Sequence, residues 1–456
     1  MNSIKYSHSL FEFGYVSADD RAIGSSRIEH ITEQAFGYLK QLCLCDETES
    51  RFLRLRNIEN CEVLQLNNYV GVLFTPDGTQ IEVLPKVAKH VSGEDGKQLA
   101  RDSLLMMLTS LSQFRHLQTH NAHLSKSKMP LLEVFISQFL AAVNKLVKRG
   151  LRSDYQSQEA NLAFLKGKLL VGQQLRINSI NKHKFYVEYD EFLLDRPANR
   201  VIRSALNKVL AYTRSIANQR LLTELQFVFA DIPISNNIKS DFANVKNDRG
   251  MNYYQPAFSW ARLILEGFTP LTMQGENHAF SLLFPMEAVF ESYVASVLAK
   301  QIPSDLRLKT QASTEYLVTH KKNKRFQLRP DLLLSYAKES NKRGNVCVLD
   351  TKWKLVTDKS ENDEKAKYGL SQTDFYQMYA YGLKYLNGQG DLILIYPGHN
   401  EFTESISHSF DFDDEKRLRL WLVPFDIAST VPDEERIKWP KDCVLKIVDI
   451  NYAVIG

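Results

Sequence analysis

Two short apolar runs, at residues 332–334 and 346–349, constrain this chain more than any other feature, because both have the length and composition of buried strands. The polar residues 338–344 between them predict a turn. Asp331 opens the first strand and Asp350 ends the second. If the two strands pair antiparallel, both carboxylates meet at the same end of a sheet.

Lys352 lies two residues beyond Asp350, so the alternation of a strand points both side chains the same way. Two carboxylates and an ammonium group at one spot are suited to holding a hard divalent cation with a water beside it. The pattern Pro330-Asp331 followed by Asp350-Thr351-Lys352 resembles the PD-(D/E)xK nuclease signature. A surface hairpin with solvated charges is the alternative, and the apolar run in front of Asp350 weighs against it.

A predicted helix downstream carries Gln377 and Tyr381, which are four residues apart and share one helix face. This segment resembles the Q-x-x-x-Y helix that lies behind the catalytic strands in the RecB-like branch of these nucleases. Gln377 is a catalytic candidate that would hold either Lys352 or the water in place. Tyr381 is expected to pack in the core.

Length and composition restrict the classes of protein to which this chain can belong. A chain of 456 residues is long enough for two or three domains. No apolar run approaches the roughly 20 residues of a membrane span, the N-terminus lacks a signal-peptide pattern, and the five cysteines form no C-x-x-C motif. These features predict a cytoplasmic protein that contacts no membrane and has neither a disulfide framework nor a zinc site.

The formal net charge of +4 is slight, so any DNA-binding face has to be local. The basic residues 320–325 are one candidate for such a face, because a run of like charges is costly unless it faces phosphate or water. A solvated hairpin tip is the alternative interpretation of the same residues.

The patterns along the chain predict a multidomain α+β protein. Residues 1–97, with a clear hairpin at 69–84 and a polar linker at 89–97, predict an N-terminal β-rich domain that folds separately. Residues 98–274 have helical spacing and predict a mainly helical middle domain, or stalk. Residues 275–456, in the predicted order helix, three strands, helix, two strands, match the α/β core of a restriction-endonuclease-like PD-(D/E)xK domain.

Several stretches, in order along the chain, resemble the McrC family, the nuclease subunits of McrBC-type modification-dependent restriction systems. These stretches are Val83-Leu84-Pro85-Lys86, Leu131-Leu132-Glu133-Val134-Phe135, Leu146-Val147-Lys148-Arg149-Gly150-Leu151, Phe164-Leu165-Lys166-Gly167-Lys168-Leu169, and Tyr189-Asp190-Glu191 through Asn199-Arg200. Together with the nuclease pattern and the Q-x-x-x-Y helix they cover most of the chain. Residues 1–60 match none of them.

The resemblance implies an Mg²⁺-dependent DNA endonuclease, with Mn²⁺ as an alternative ion. It implies two partners, double-stranded DNA and a hexameric McrB-like AAA+ GTPase that reads modified-cytosine sites. The N-terminal part would dock into the pore of the hexamer and stimulate GTP hydrolysis. The implied site residues are Asp331, Asp350 and the Thr351 backbone carbonyl as metal ligands, Glu291 as a helical acid that assists metal binding, and Lys352 as the catalytic lysine.

A nucleotide site is absent from this sequence, because no G-x-x-x-x-G-K-[ST] loop occurs in it. We therefore predict that the chain alone hydrolyses neither GTP nor ATP, which agrees with a partner that carries that site. Two other functions remain open. One is a self-sufficient RecB-like repair nuclease or resolvase, and the other is a non-catalytic adaptor that activates an NTPase. The intact Asp331, Asp350 and Lys352 weigh against the adaptor.

Overall fold

A computed structural model describes residues 6–23, 27–45, 52–58, 60–88, 93–111, 130–245, 249–266, 281–338, 340, 342–356, 368–413, 415 and 417–447. The chain divides into two compact units. The first unit comprises residues 1–6, 74–80 and 129–282, and the second comprises 7–73, 81–128 and 283–456. Each unit combines helices and sheets, so the predicted mixture of α and β structure is confirmed. None of the described helices is both long and apolar enough to cross a bilayer.

The strands and helices are numbered in chain order. The strands are β1 (Tyr6–Phe11), β2 (Tyr15–Ser17), β3 (Ile28–His30), β4 (Leu53–Ile58), β5 (Cys61–Leu66), β6 (Tyr69–Phe74), β7 (Thr79–Leu84), β8 (Asp154–Leu162), β9 (Lys168–Leu169), β10 (Phe185–Leu193), β11 (Ser281–Pro285), β12 (Leu306–Thr310), β13 (Tyr316–His320), β14 (Asn323–Gln327), β15 (Leu332–Tyr336), β16 (Asn345–Thr351), β17 (Gly390–Pro397), β18 (Phe410–Asp411) and β19 (Leu418–Phe425). The helices are α1 (Glu33–Cys45), α2 (Gly93–Leu108), α3 (Leu131–Arg149), α4 (Val171–Ile177), α5 (Pro197–Val209), α6 (Ile216–Val228), α7 (Ile238–Asn244), α8 (Gln255–Glu266), α9 (Met286–Gln301), α10 (Gln372–Tyr385) and α11 (Val444–Ile447).

A six-stranded sheet with the order β12-β15-β16-β17-β19-β18 forms the centre of the second unit. β15 and β16 pair antiparallel, with Leu332 opposite Leu349, as the sequence predicts. β16 and β17 are parallel, and α10 supplies the crossover that a parallel pair requires. Gly382 allows α10 to approach the sheet closely, because a Cβ there would lie 2.6 Å from a methyl carbon of Leu418.

The N-terminal strands were predicted to belong to a separately folding domain of residues 1–97, and in the structure they share a sheet with a strand from much later in the chain. The predicted hairpin is confirmed as β6 and β7, but these strands belong to a four-stranded sheet with the order β1-β7-β6-β11. β11, which immediately precedes α9, pairs with the edge of β6 that would otherwise be unpaired. A strand from far along the chain therefore covers this edge. Residues 93–97, predicted as linker, begin α2, and residues 89–92 lie outside the described residues.

The first unit is helical, as predicted for the middle of the chain, but it also contains a three-stranded sheet with the order β8-β10-β9. β8 and β10 pair antiparallel along their full length. This sheet and α4, which packs on β10, are called here the β8–β10 module, residues 154–193. Several large apolar side chains of the module are exposed: Tyr155, Phe164, Leu165, Leu175, Ile180 and Phe192.

Candidate active site

Asp331 and Asp350 lie at the same end of the central sheet, because antiparallel pairing places the start of β15 beside the end of β16. Lys352 follows β16 and places its Nζ 2.7 Å from Asp350 Oδ2. Its backbone N–H donates to the carbonyl of Ile395 in β17 at 2.9 Å. The chain therefore stays attached to the sheet beyond β16, and the side chain of Lys352 is directed by a fixed backbone.

Asp350 is the most deeply buried of the candidate residues, with 1 % of its surface exposed. Burial raises its pKa to about 7, and the charges of Asp331 and Glu291 act in the same direction, whereas the charge of Lys352 opposes them. In the described part of the chain no hydrogen-bond donor is aligned with Asp350 Oδ2, which has only the ion-pair contact with Lys352. Buried charges in proteins are paired or coordinate metals, and Asp350 is paired with Lys352.

Asp331 is held by the residue that follows Asp350. Its Oδ2 accepts hydrogen bonds from the backbone N–H of Thr351 at 2.8 Å and from the Thr351 hydroxyl at 2.7 Å. Its backbone carbonyl accepts from the N–H of Gln311 at 2.8 Å. The sequence indicated a role for Thr351 only through its backbone carbonyl. In the structure its hydroxyl also orients Asp331.

Glu291 lies on α9 and accepts a hydrogen bond from the Gln311 side chain. Burial raises its pKa and the charge of Asp331 raises it further, so Glu291 is electrostatically linked to the two aspartates. Within the described ranges no three His, Cys, Asp or Glu side chains are grouped as a metal cage. Mg²⁺ requires only one or two carboxylates beside its waters and a substrate phosphate, and the carboxylates of Asp331 and Asp350 fit that need.

Gln377 and Tyr381 share a face of α10, as predicted, and connect Lys352 to the start of β15. Lys352 Nζ donates to Gln377 Oε1 at 3.0 Å, and Gln377 Nε2 donates to the Tyr381 hydroxyl at 2.8 Å. The Tyr381 hydroxyl donates in turn to the Arg329 carbonyl at 3.0 Å. Tyr381 is buried, as expected, but it is also a hydrogen-bonding member of this chain of contacts.

The ammonium group of Lys352 keeps its proton at neutral pH. Partial burial alone would lower its pKa, but the charge of Asp350 and the contact with it outweigh that effect, and the pKa is raised. A lysine in this state supplies positive charge and hydrogen bonds and does not act as a base.

Glu12, Lys86 and Trp353 form a hydrogen-bonded group beside the site that is not apparent from the sequence. Glu12 is fully buried, and its Oε1 accepts from the indole Nε1 of Trp353 at 2.8 Å and from the backbone N–H of Lys86 at 2.9 Å. Lys86 Nζ donates to the Trp353 carbonyl at 3.0 Å. Trp353 directly follows Lys352, so residues from the N-terminal strands hold the segment that carries the candidate lysine.

One sequence signal for this group existed. Glu12 stands between Phe11 and Phe13 in an apolar stretch, where an acid is unexpected unless it is paired. Lys86 appeared only within the stretch Val83-Leu84-Pro85-Lys86 of the family resemblance. The sequence around Glu12 and the sequence around Lys86 do not identify Trp353 as the partner of either residue.

Comparison with known proteins places the chain in a family. Residues 64–397 match the family described as McrBC 5-methylcytosine restriction system component. A chain in the tetradecameric assembly of Thermococcus gammatolerans McrB AAA+ hexamers with bound McrC has a similar fold, with a TM-score of 0.65 and 19% identity over 94% of this chain and 98% of that chain. A chain of the Thermococcus gammatolerans McrBC complex has a TM-score of 0.47 and 22% identity over 65% of this chain and 88% of that chain.

No curated protein sequence is a significant match to the chain. The family match covers most of the sequence, and the similarity of fold extends over nearly the whole of both chains. The McrC resemblance drawn from the sequence is thereby confirmed, and this chain belongs to the McrBC 5-methylcytosine restriction system component family.

Proposed function

We propose that this chain is an Mg²⁺-dependent DNA endonuclease of the PD-(D/E)xK type, which works with an McrB-like AAA+ GTPase to restrict foreign DNA that carries modified cytosines. The observation that carries the proposal is the buried carboxylate of Asp350, which lies against the ammonium group of Lys352. Asp331 stands beside it at the end of the same sheet. Strand-end carboxylates with a fixed ammonium group are suited to phosphodiester hydrolysis.

The residues of the site divide the work of cleavage. Asp331, Asp350 and the Thr351 carbonyl would hold Mg²⁺, or Mn²⁺ as an alternative, and Glu291 would assist through water. The bound ion would supply Lewis acidity and a water of lowered pKa. Lys352 places a positive charge where negative charge develops on the phosphate, and Gln377 keeps that ammonium group in position.

The partner is proposed from the family and from the sequence together. The family is that of a 5-methylcytosine restriction system, and the Thermococcus gammatolerans relative of similar fold belongs to an assembly of McrB AAA+ hexamers with bound McrC. This chain has no phosphate-cradling loop of its own. GTP hydrolysis and the reading of modified cytosine are therefore assigned to the partner, and phosphodiester cleavage to this chain.

Mixing experiments test this function. We expect the purified chain to hydrolyse no GTP and to cut plasmid poorly with Mg²⁺, and we expect cutting of modified plasmid when the McrB-like GTPase and GTP are added. Full cutting by the chain alone would indicate a self-sufficient nuclease. Stimulated GTP turnover without any cutting, on modified plasmid and with Mg²⁺ or Mn²⁺, would indicate an adaptor.

The predicted docking of residues 1–97 on the hexamer stays a prediction, but the described surface favours another place. Strands β6 and β7 are buried along their length, whereas the β8–β10 module exposes large apolar side chains. Among them, Leu175 is 71% exposed and Ile180 is 90% exposed. Apolar side chains concentrated on one small module mark a protein contact, and we assign this one to the AAA+ hexamer.

Substitutions in the β8–β10 module test that assignment. The double variant Leu175→Asp with Ile180→Asp is expected to raise the concentration of this chain needed for half-maximal GTP turnover by about 30-fold, because two apolar anchors contribute about 2 kcal/mol or more. The control is Ile216→Asp with Phe227→Asp on α6, whose side chains are 84% and 83% exposed. Equal effects of both pairs would contradict the assignment.

A further inference from the structure

Strands β13 and β14 form a hairpin that is separate from the central sheet. They pair only with each other among the described strands, in a two-stranded sheet, and nearly all of their residues are exposed. A lone two-stranded hairpin is marginally stable in water. The stability of this hairpin therefore depends on the contacts made at its base. Its exposed surface is free to contact a ligand.

This hairpin concentrates positive charge. Lys321 and Lys322 form its turn, Lys324 and Arg325 lie in β14, and residues 316–327 contain no acid. No carboxylate of the described residues is within ion-pair distance of these four cations. Their summed charge equals the formal net charge of +4 of the entire chain. The remaining residues carry no formal net charge, so the hairpin accounts for the net positive charge of the chain.

The loop also places lysines where the backbone disfavours them. Lys321 and Lys322 form the two-residue turn and have φ values of 47° and 67°. A turn with positive φ at both positions favours Asn-Gly, and a side chain there costs roughly 1–2 kcal/mol per residue. A local conflict of this kind, without a stabilising contact to either lysine from the described part of the chain, is typical of a functional segment.

The base of the hairpin is attached to the candidate site. The Tyr385 hydroxyl donates to the Leu328 carbonyl at 2.9 Å, and the Tyr381 hydroxyl donates to the Arg329 carbonyl at 3.0 Å. Both tyrosines lie on α10, the helix that also presents Gln377 to Lys352. After Arg329 the chain reaches Asp331 in two residues. The hairpin and the candidate site therefore share one rigid support.

We propose that this hairpin is an arm that contacts the phosphates of duplex DNA beside the candidate nuclease site, an inference that rests on the proposed function. Each strand of five residues extends about 17 Å. That length corresponds to about ten phosphate charges of a duplex, which carries one charge per 1.7 Å of its axis. Each of the four cations can contact one of those phosphates, and contacts of this type position a duplex without reading its sequence.

Binding of an unmodified 30-base-pair duplex by the full-length chain in EDTA, at 50 to 200 mM KCl, tests the arm. The triple variant Lys321→Ala, Lys322→Ala and Lys324→Ala is expected to reduce the slope of log affinity against log salt by about 2.7, or 0.9 per lost phosphate contact. The matched control is Lys338→Ala, Lys342→Ala and Arg343→Ala. These residues lie between β15 and β16, at the far end of the strands from Asp331, and the slope is expected not to change.

A second variant separates binding from folding. Lys321→Asn with Lys322→Gly suits the turn better, so its melting temperature should rise while the slope falls by about 1.8. Slopes equal to that of the unaltered chain in both variants, an equal loss in the control, or no measurable binding by the unaltered chain at 50 mM KCl would each overturn the arm. If Asp350→Asn abolishes cutting while the slopes stay unchanged, only the arm assignment fails. Full cutting by Asp350→Asn would contradict the nuclease assignment instead.

Discussion

Asp350→Asn is expected to lower DNA cleavage by about 10³-fold or more, because it removes a ligand of the proposed Mg²⁺, whose charge stabilisation would contribute several kcal/mol. The same substitution should leave the free energy of unfolding unchanged or raise it. Asp350 is buried, and its carboxylate lies in the field of Asp331 and Glu291, so an amide of the same shape relieves a desolvation cost. Plasmid cleavage with Mg²⁺ and the partner, together with a denaturant melt, measures both effects.

Asp391 provides a matched control for Asp350. It is also 1 % exposed and lies in the neighbouring strand β17, opposite Cys347 and away from the candidate site. Unlike Asp350, it is fully paired, with Arg419 at 2.8 Å, the indole of Trp421 at 3.2 Å and the N–H of Val444 at 2.7 Å.

Asp391→Asn should therefore show the opposite outcome. It is expected to lower the free energy of unfolding by about 2–3 kcal/mol, because it breaks a largely buried ion pair, while cleavage per folded molecule persists. Near-normal cutting by Asp350→Asn, or loss of cutting by a folded Asp391→Asn protein, would mean that the candidate site lies elsewhere.

Glu12→Ala is expected to lower the free energy of unfolding by about 2–4 kcal/mol, because it leaves the indole N–H of Trp353 and the N–H of Lys86 buried without an acceptor. Cleavage should fall about tenfold at a temperature where the variant is folded, because Trp353 follows Lys352 and its movement displaces the lysine. A tenfold loss corresponds to about 1.4 kcal/mol of transition-state stabilisation. Thermal melts and single-turnover cleavage rates test the two parts.

Glu12→Gln distinguishes positioning from bulk stability. Its amide oxygen still accepts from Trp353 and Lys86, so both stability and cleavage should return close to those of the unaltered chain. Glu33→Ala, at an exposed position in the first turn of α1, is the control for loss of an acid and should change stability by less than about 0.5 kcal/mol. An unaltered melt of Glu12→Ala would show that this carboxylate does not hold Trp353.

Much of the second unit could be predicted because its determinants are close in sequence. The antiparallel pair β15 and β16 follows from two apolar runs and a polar turn, and the shared face of Gln377 and Tyr381 follows from helical spacing. The hydrogen bond from Thr351 to Asp331 was missed, because a strand pattern gives the face of a residue but not the atom that its hydroxyl contacts.

In the β-rich N-terminal region, local sequence patterns did not predict all of the structure. Its strands were predicted, but the pairing of the edge of β6 with β11, more than 200 residues away in sequence, was not. The polar residues 93–97 resembled a linker because their composition is hydrophilic, but they form the start of α2. Tertiary packing overrides local propensity at such places.

The sequence by itself determined the family, the mixed fold class and the set of residues that meet at the end of the central sheet, because alternation, helical spacing and motif order are local properties of the chain. Only the tertiary structure decided that Glu12 holds Trp353 across 341 residues, that β11 completes the N-terminal sheet, and that Asp350 is buried against Lys352. A buried carboxylate can accept hydrogen bonds from any nearby donor, and the edge of a sheet can pair with any nearby strand. The partner that is chosen therefore depends on the packing of the complete chain.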